Sequence, residues 1–473
     1  MAPLDLTEEP LPLFSLLDDA AAWRLRLVER IEIVAATRYR VTSRYHCQLP
    51  QGFATSAPGE TKVRLVLPIA TRVKQPLLNF SATGPDGSPS HLVPRSRSAN
   101  LQAEYLLSLA KRTPLGRLIG PDREISDDLL RAVCFFSPAV WWEFPTKRPS
   151  REIALAHYLE GGIGLRAGPQ RVAKWLDRCD AVAIQLGEVL GEEPNTMSSS
   201  SDCVLLALPH LDEHPTSLRA VDTLVDRFAD AVDNLYEASA SDDAALDFLL
   251  VLGDYGRRWE MMLELEMPLD APATVVVADD RLFTIVDRCR VQHRIALGEA
   301  PSVHVEAVIP DHTLEFTDLR LIDVETKEEV GIGPVDDRGG GIGPLELLQK
   351  LGDTLAIYSS TESKPYYADL HMTLRPTFDV RWPPRVAFAV TLGALAVASI
   401  VDNDDLVDTL AVLVVPTTFA ATFTLIREQS TLAMALQRRV NVALGIAIVA
   451  LWVVAASRLL GAGLDLGWLP LID

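Results

Sequence analysis

The sequence predicts an α+β region over residues 1–384, β-rich at both ends and helical in the middle, followed by about three transmembrane helices. Three observations predict this fold class. Long apolar stretches occur near the C-terminus, helical periodicity dominates residues 150–268, and apolar and polar residues alternate as in strands on either side. The strands that precede the membrane segments are short and separated by turns, which is typical of a small sandwich.

Three apolar stretches near the C-terminus come close to the roughly twenty residues that a membrane-spanning helix needs. They are residues 385–401, 409–426 and 440–456, and none has an ionisable residue in its interior. The alternative, a buried amphipathic helix, is disfavoured because these stretches are apolar on every face. The second is the weakest span candidate because it is short and contains Pro416.

The basic residues predict how these helices are oriented. They lie before the first span and between the second and third, at Arg375, Arg381, Arg385, Arg427, Arg438 and Arg439. Residues 402–408, between the first two spans, contain four aspartates and no basic residue. We therefore expect a multi-pass plasma-membrane protein with a cytosolic N-terminal region and an external C-terminus. Because no charge lies inside the spans, an anchor is favoured over an ion path.

The chain divides by composition into five predicted modules. They are an N-terminal helix at 1–38, a mixed β/α module at 39–149, a helical module at 150–268, a β-rich module at 269–384 and the transmembrane domain at 385–473. The N-terminal helix is predicted over DDAAAWRLRLVERIEIVAA, and a shorter one over PLELLQKLGDTL in the β-rich module. A turn is predicted at Gly84–Gly87, between the two strands of a hairpin. In the helical module, residues 217–238 space their apolar side chains every three or four positions.

Charge and cysteine usage exclude several classes of protein. The formal charge of −20 argues against a nucleic-acid binder, which needs a basic face for phosphate. The five cysteines are scattered and include no CxxC pair, which predicts reduced, mostly buried thiols. They are Cys47, Cys134, Cys179, Cys203 and Cys289. The first residues have no basic and apolar pattern of a signal peptide.

One short motif suggests a metal site. His210, Glu213 and His214 form an H-x-x-E-H arrangement, which on a helix places two histidines on one face beside a glutamate. Pro209 and Pro215 flank the motif, and a helix does not continue undisturbed through Pro215. A polar loop is therefore the favoured interpretation, and no cofactor is expected.

Other chemical candidates are weaker. The glycine-rich residues 331–344 lack the Gly-Lys-Ser/Thr of a phosphate-binding loop and predict a flexible connection. Cys289 and His293 share a face of a predicted strand, which fits a nucleophile and its base, but core packing produces the same spacing. The acidic pairs, including Asp279-Asp280, are interpreted as solvated turns and helix caps. The arginines around Arg294 fit either an acidic partner or neighbouring acidic residues of the chain itself.

The C-terminal run PTTFAATFTLIREQSTLAMALQRRVNVALGIAIVALW and the strands SVHVEAVIPDHTLEF and SKPYYADLHMTLRP resemble the membrane end of uncharacterised actinobacterial proteins. The resemblance covers residues 290–460. It implies a bacterial plasma membrane and a large cytosolic region before a few C-terminal helices. It implies no activity and assigns no functional residue.

Three functions remain open at this point. The first is a membrane-anchored protein without catalysis, whose cytosolic domains bind a protein or a small ligand. The second is a signal-gated membrane effector that oligomerises through its transmembrane helices, since Gly393, Ala394, Ala396 and Ala398 allow close helix contact. The third is a membrane-tethered hydrolase that uses the metal motif. The expected partners are the lipid bilayer and a protein partner or a second copy of the chain.

Overall fold

The structure is a computed structural model of the chain. It describes residues 4–5, 7, 10–35, 38–51, 53, 61–73, 77–112, 130–131, 134, 150–189, 205, 208, 215–239, 243, 246, 248, 251, 255, 258–282, 289–297, 300–311, 313–323, 328–330, 345–351, 354–359, 366–400 and 431–464.

Strands and helices alternate in blocks along the described chain. The strands are β1 (Leu4–Asp5), β2 (Arg24–Ala35), β3 (Arg38–Cys47), β4 (Lys62–Val73), β5 (Leu78–Thr83), β6 (His91–Leu92), β7 (Arg258–Pro268), β8 (Ala273–Leu282), β9 (Cys289–Leu297), β10 (Val303–Val308), β11 (Leu314–Asp323), β12 (Leu345–Leu351), β13 (Thr354–Ser359) and β14 (Tyr366–Pro376). The helices are α1 (Pro10–Asp18), α2 (Ala20–Trp23), α3 (Arg95–Lys111), α4 (Ser150–Ile163), α5 (Pro169–Val189), α6 (Leu218–Ser239), α7 (Phe378–Ile400) and α8 (Thr431–Leu464).

The strands form three sheets. Their orders are β1-β4-β7-β6, β12-β13-β10-β2-β3-β8-β5 and β11-β14-β9. The described pairings are antiparallel except for β1 with β4, which is parallel. The prediction of a mixed fold with β-rich regions before and after helices is confirmed.

The pairing of β4 with β7 joins residues that lie far apart in sequence. Its register runs from Lys62 opposite Pro268 to Val73 opposite Arg258. Leu67 and Leu263 are direct partners in this ladder, and both are fully buried. The register shifts next to Pro68, where a residue without an N–H is tolerated. The helices α3 to α6 therefore lie in the long connection between two neighbouring strands of one sheet.

The N-terminal helix prediction is wrong beyond Trp23. Arg24–Ala35 is a strand whose inward positions hold Leu27, Glu29, Ile31 and Ile33, all buried. This is the period-two pattern of a strand. A carboxylate occupies one of the inward positions, so the apolar alternation is interrupted and the segment resembles an amphipathic helix. A helix does occur earlier, in α1.

Two further helix predictions are wrong. Residues 258–268, predicted as the end of the helical module, form β7, and residues 345–351, predicted as a short helix, form β12. Each strand pairs along its length with another strand, β7 with β4 and β12 with β13. Backbone pairing supplied by a distant segment overrides local helix propensity in both cases.

The predicted turn at Gly84–Gly87 is confirmed. Gly87 has a φ of 81°, a left-handed conformation that favours glycine, and its N–H donates to the carbonyl of Gly84. The strands on either side belong to different sheets, because β5 is at the edge of the seven-stranded sheet and β6 pairs with β7.

The chain separates into two compact units. The first comprises Met1–Leu27, Ser43–Asp279 and Glu299–Pro301, and the second comprises Val28–Thr42, Asp280–Gly298 and Ser302–Asp473. In the first, α3 to α6 share a core that includes the buried side chains of Leu106, Leu159 and Val172. The apolar stripe predicted on α6 packs into this core through Val221 and Val225.

The second unit ends in the helices α7 and α8, which pack together. Residues 385–400 and 440–456, predicted as parts of the first and third spans, are helical here, while the second predicted span, 409–426, lies outside the described residues. The first helix begins at Phe378, seven residues before its predicted start. Within the described part of the chain, no helix is long and apolar enough to cross a membrane.

Replacing Leu67 with alanine should destabilise the protein strongly. The side chain is buried in the β4–β7 pair, and truncating such a leucine costs about 2–5 kcal/mol through lost burial and the cavity left behind. Leu25→Ala is the matched control because Leu25 is 41% exposed. Thermal unfolding of the full chain should show a large loss for the first variant and little for the second. Equal losses would contradict the pairing.

Candidate functional site

The predicted metal ligands are not tested by the structure. His210, Glu213 and His214 lie outside the described residues, as do the glycine-rich residues 331–344. Among the residues that are described, no three His, Cys, Asp or Glu side chains are placed to hold a metal ion. The metal site stays a prediction.

The second unit contains a buried cluster of charged and polar side chains around His293. Nε2 of His293, on β9, lies 3.0 Å from Oε2 of Glu29 on β2. Its Nδ1 lies 3.2 Å from Nη1 of Arg281 on β8. The ring of Tyr39, on β3, meets the imidazole edge-on with ring centres 5.8 Å apart. The side chains of His293 and Glu29 are almost completely buried.

These contacts determine the protonation pattern of the histidine. A guanidinium only donates hydrogen bonds, so Nδ1 of His293 accepts from Arg281. The ring proton then lies on Nε2 and is donated to Glu29. Both nitrogens are engaged and the ring is shielded from solvent, so it is not positioned to take a proton from a substrate. His293 is thus a core residue, and the side chain of Cys289 lies outside the described part of the structure.

Next to Arg281 on β8, Asp280 forms ion pairs with two arginines of β3. Asp280 accepts a hydrogen bond of 2.8 Å from Nε of Arg40 and lies 3.4 Å from Nη1 of Arg38. The hydrogen bond with Asp280 is the main reason why the pKa of Arg40 is raised. Asp279 and Asp280 are both buried in the strand, so their interpretation as a solvated turn or cap is wrong. The sequence gives no direct signal, because the arginines come from a strand 240 residues away.

The charge of Arg294 on β9 is balanced by an aspartate on the neighbouring strand. Arg294 donates from Nε and Nη2 to both carboxylate oxygens of Asp369, at 2.8 and 3.2 Å, and Gln292 adds a bond of 3.0 Å. Burial by itself raises the pKa of Asp369, but the hydrogen bonds and charge of Arg294 outweigh it, and the pKa is lowered. Of the two uses predicted for Arg294, the structure supports local charge balance.

A polar cleft of about 760 Å³ lies between α5 and α6 in the first unit. Arg171 donates to both carboxylate oxygens of Asp222, at 3.2 and 2.6 Å, and the indole N–H of Trp175 donates to one of them at 2.7 Å. The hydrogen bond with Arg171 is the main reason why the pKa of Asp222 is lowered. Arg178 bonds to Asp230 further along the same helices, so α5 and α6 run in the same direction.

The cleft has the volume of a small-molecule pocket and a charged lining. Its volume falls in the range of small-molecule pockets, roughly 300–1,000 Å³. Its lining carries both signs of charge, and the exposed side chains of Gln170 and Lys174 face solvent there. The carboxylate of Asp222 is already engaged by two donors, which makes it an organiser of the cleft and a poor general base.

The packed helices α7 and α8 expose large apolar side chains. Ala387 and Leu444 are buried where the helices meet, with Phe388 and Ile448 beside them. Ten of the fourteen large apolar side chains that are exposed in the described chain belong to this pair. They are Phe378, Trp382, Val386, Val390, Leu392, Val442, Ile446, Val449, Trp452 and Val453. Exposed apolar side chains that are concentrated in one part of a protein indicate a contact surface for lipid or protein.

Three of the described cysteines are buried and form no disulfide bond, as predicted. They are Cys47, Cys134 and Cys179. Burial raises the pKa of the Cys47 thiol to about 12, which keeps it protonated and unreactive.

Comparisons with known proteins find no match, whether to a family model, a curated protein or a solved structure. The function is therefore argued from the side chains themselves.

Replacing Glu29 tests the buried cluster. Glu29→Ala removes the acceptor for Nε2–H of His293, and a buried donor left without an acceptor costs about 1–3 kcal/mol. Glu29→Gln keeps a carbonyl oxygen at the same reach and should lose much less. Thermal unfolding of the full chain should separate the two variants. Similar melting temperatures for both would contradict the assigned hydrogen bond.

The pair between Arg294 and Asp369 predicts a pH dependence. Since the folded pKa of Asp369 is lowered, the pair stabilises the protein above the unfolded pKa, near 4, and that stability is lost as the pH falls through the folded value. Arg294→Gln removes the partner but keeps the burial, so its melting temperature should be lowered most near pH 7. The difference from the parent should shrink towards pH 3. A difference that stays constant with pH would contradict the assignment. Arg320→Gln, at an exposed pair, is the control.

Proposed function

We propose that the chain is a membrane-anchored binding protein without catalytic activity, held in a plasma membrane by its C-terminal helices. Its N-terminal region lies in the cytosol and binds a small ligand or a protein. The observation that carries the proposal is the concentration of exposed apolar side chains on α7 and α8. Water penalises such a surface, whereas lipid chains solvate it at no cost.

The packing of the two helices supports the anchor. α7 follows β14 after one residue, and α8 also contacts β14. Ala387 of α7 and Leu444 of α8 are buried where the two helices meet. Between these helices lies the middle predicted span, 409–426, which is long enough for a third crossing.

The spans are proposed from the whole sequence. The first predicted span continues to Val401, beyond Ala396, which is the last side chain of α7 that the structure describes. Within 385–401 no residue after Arg385 is ionisable, and the same holds throughout 440–456. Thr391 is fully buried, and its hydroxyl donates to the carbonyl of Ala387 at 2.7 Å, so this polar group needs no water.

The cleft between α5 and α6 is the best-supported ligand site. Its charges are organised by the contacts of Asp222 with Arg171 and Trp175, and its volume suits a small polar ligand. The buried cluster around His293 has no such opening, since its side chains are enclosed between strands. Binding at the cleft and anchoring at the helices together describe a sensor or scaffold at the membrane.

Lysine substitutions on the exposed helix faces test the anchor. Ile446 and Val453 are 66% and 62% exposed and lie seven residues apart on one face of α8. In hydrocarbon, each lysine costs about 2.5–3.5 kcal/mol, whereas at a surface in water the change is usually within about 0.5 kcal/mol. The double variant Ile446→Lys/Val453→Lys should therefore lose membrane association, measured as the fraction that pellets with membranes after alkaline carbonate extraction.

The control variant carries the same charges at exposed apolar positions of the first unit. Leu11→Lys/Ile153→Lys should pellet like the parent, since both side chains are exposed outside the helix pair. A parent chain that is removed from membranes by carbonate would overturn the proposal. So would equal pelleting of the parent and both double variants.

A further inference from the structure

We propose that the cleft between α5 and α6 binds a small zwitterion, whose carboxylate pairs with Lys174 and whose ammonium group pairs with Asp226. The inference rests on the binding function proposed for this cleft and names the class of its ligand. It is carried by the charged side chains of the two helices, which are paired at both ends of a row and unpaired in the middle.

The charged side chains form two facing rows. α5 contributes three basic side chains and α6 three acidic ones, each at a spacing of three or four residues, which places them on one face of their helix. They are Arg171, Lys174 and Arg178 on α5, and Asp222, Asp226 and Asp230 on α6. The first pair, Arg171 with Asp222, is joined by two hydrogen bonds, and the last, Arg178 with Asp230, by one of 3.1 Å.

The middle pair of these rows is open. Lys174 lies about 4.5 Å beyond Arg171 along its helix, and Asp226 about 6 Å beyond Asp222, so the two face each other at nearly one level. Lys174 is exposed, and it has no hydrogen-bond or ion-pair partner among the described residues. Asp226 is 62% exposed and lies 3.6 Å from Nε of Arg178, which is too far for a good hydrogen bond. Both groups are therefore accessible to a ligand.

The space between the open pair has a partly apolar lining. Trp175 and Val225, the sequence neighbours of Lys174 and Asp226, are 3% and 1% exposed and line the cleft of about 760 Å³. The indole N–H of Trp175 already donates to Asp222 at 2.7 Å, so the indole offers a ligand only apolar surface. Methylene groups between the two charged ends of a ligand would pack against these side chains.

The balance of charge favours a zwitterion over a simple anion or cation. Three basic and three acidic side chains leave the two rows neutral. A simple carboxylate at Lys174 would place a second negative charge beside Asp226, and a simple amine would place a second positive charge beside Lys174. A zwitterion satisfies both groups at once. A direct contact between two such exposed side chains is weak, so a ligand can take its place.

The test uses the full chain in neutral determined detergent micelles and three amino acids of increasing length: glycine, 4-aminobutyrate and 6-aminohexanoate. Each is compared by isothermal titration calorimetry with the carboxylate and the amine of the same length. The amino acid that fits the cleft should bind about fivefold more tightly than either, since an exposed ion pair contributes up to about that factor.

Two single substitutions separate the two ends of the ligand. Lys174→Gln should weaken the amino acid and the carboxylate several-fold and leave the amine unchanged. Asp226→Asn should weaken the amino acid and the amine and leave the carboxylate unchanged. Both positions are exposed, so the fold should tolerate the changes. Lys111→Gln and Glu237→Gln remove the same charges at exposed positions outside the cleft lining and should bind like the parent.

Three results would overturn the zwitterion: a matched carboxylate or amine that binds as tightly as the amino acid, variants that bind like the parent, or no binding in any series. The first would leave the cleft a binding site for another class of ligand, whereas the last would also remove the cleft as the proposed ligand site. Failure of the proposed anchor is separate, because it appears in carbonate extraction and does not depend on Lys174 or Asp226.

Discussion

The antiparallel pairing of β4 with β7 is the constraint on which the first unit depends. It joins Lys62–Val73 to Arg258–Pro268, so the chain closes a loop of almost two hundred residues before this sheet exists. The entropy of closing a long loop grows only slowly with its length, and the buried ladder of Leu65, Leu67, Leu263 and Leu265 offsets it. The paired strands then fix both ends of the segment that contains α3 to α6. The cleft between α5 and α6 lies in this segment.

The second unit contains buried charged side chains at positions where apolar side chains would stabilise the fold about equally well. Glu29, Arg281 and His293 exchange hydrogen bonds in a buried space, and Asp280 is held by two arginines of β3. Desolvating such groups costs about as much as their attraction returns, so the net gain in stability is small. The buried charges instead favour one register of strand pairing. A shift of β3 by one residue would move Arg38 and Arg40 to the opposite face and leave the Asp280 carboxylate buried without them.

The sequence correctly predicted those elements in which the apolar residues recur at a regular spacing. The stripe on α6 and the turn at Gly87 are confirmed, because local spacing and a left-handed φ determine them. The pattern failed at β2, where Glu29 occupies an inward position, and at β7, whose partner is distant in the chain. The buried cluster was missed for the same reason: four strands supply it, and Glu29 and Arg281 each look like a surface charge in the sequence. The predicted metal ligands lie outside the described residues and stay a prediction.

The distribution of charge also bears on how an acidic protein approaches an anionic membrane. A body of formal charge −20 is repelled by such a surface, but the repulsion is screened over about 8 Å at physiological ionic strength. Only groups within roughly this distance of the headgroups influence the approach. Arg381, Arg385, Arg438 and Arg439 lie within about 9 Å of the helix contact along α7 and α8. If that contact lies just inside the hydrocarbon, the sign of the nearest charges is positive although the sign of the whole chain is negative. For the proposed anchor, the charge of these arginines then matters more than the net charge of the chain.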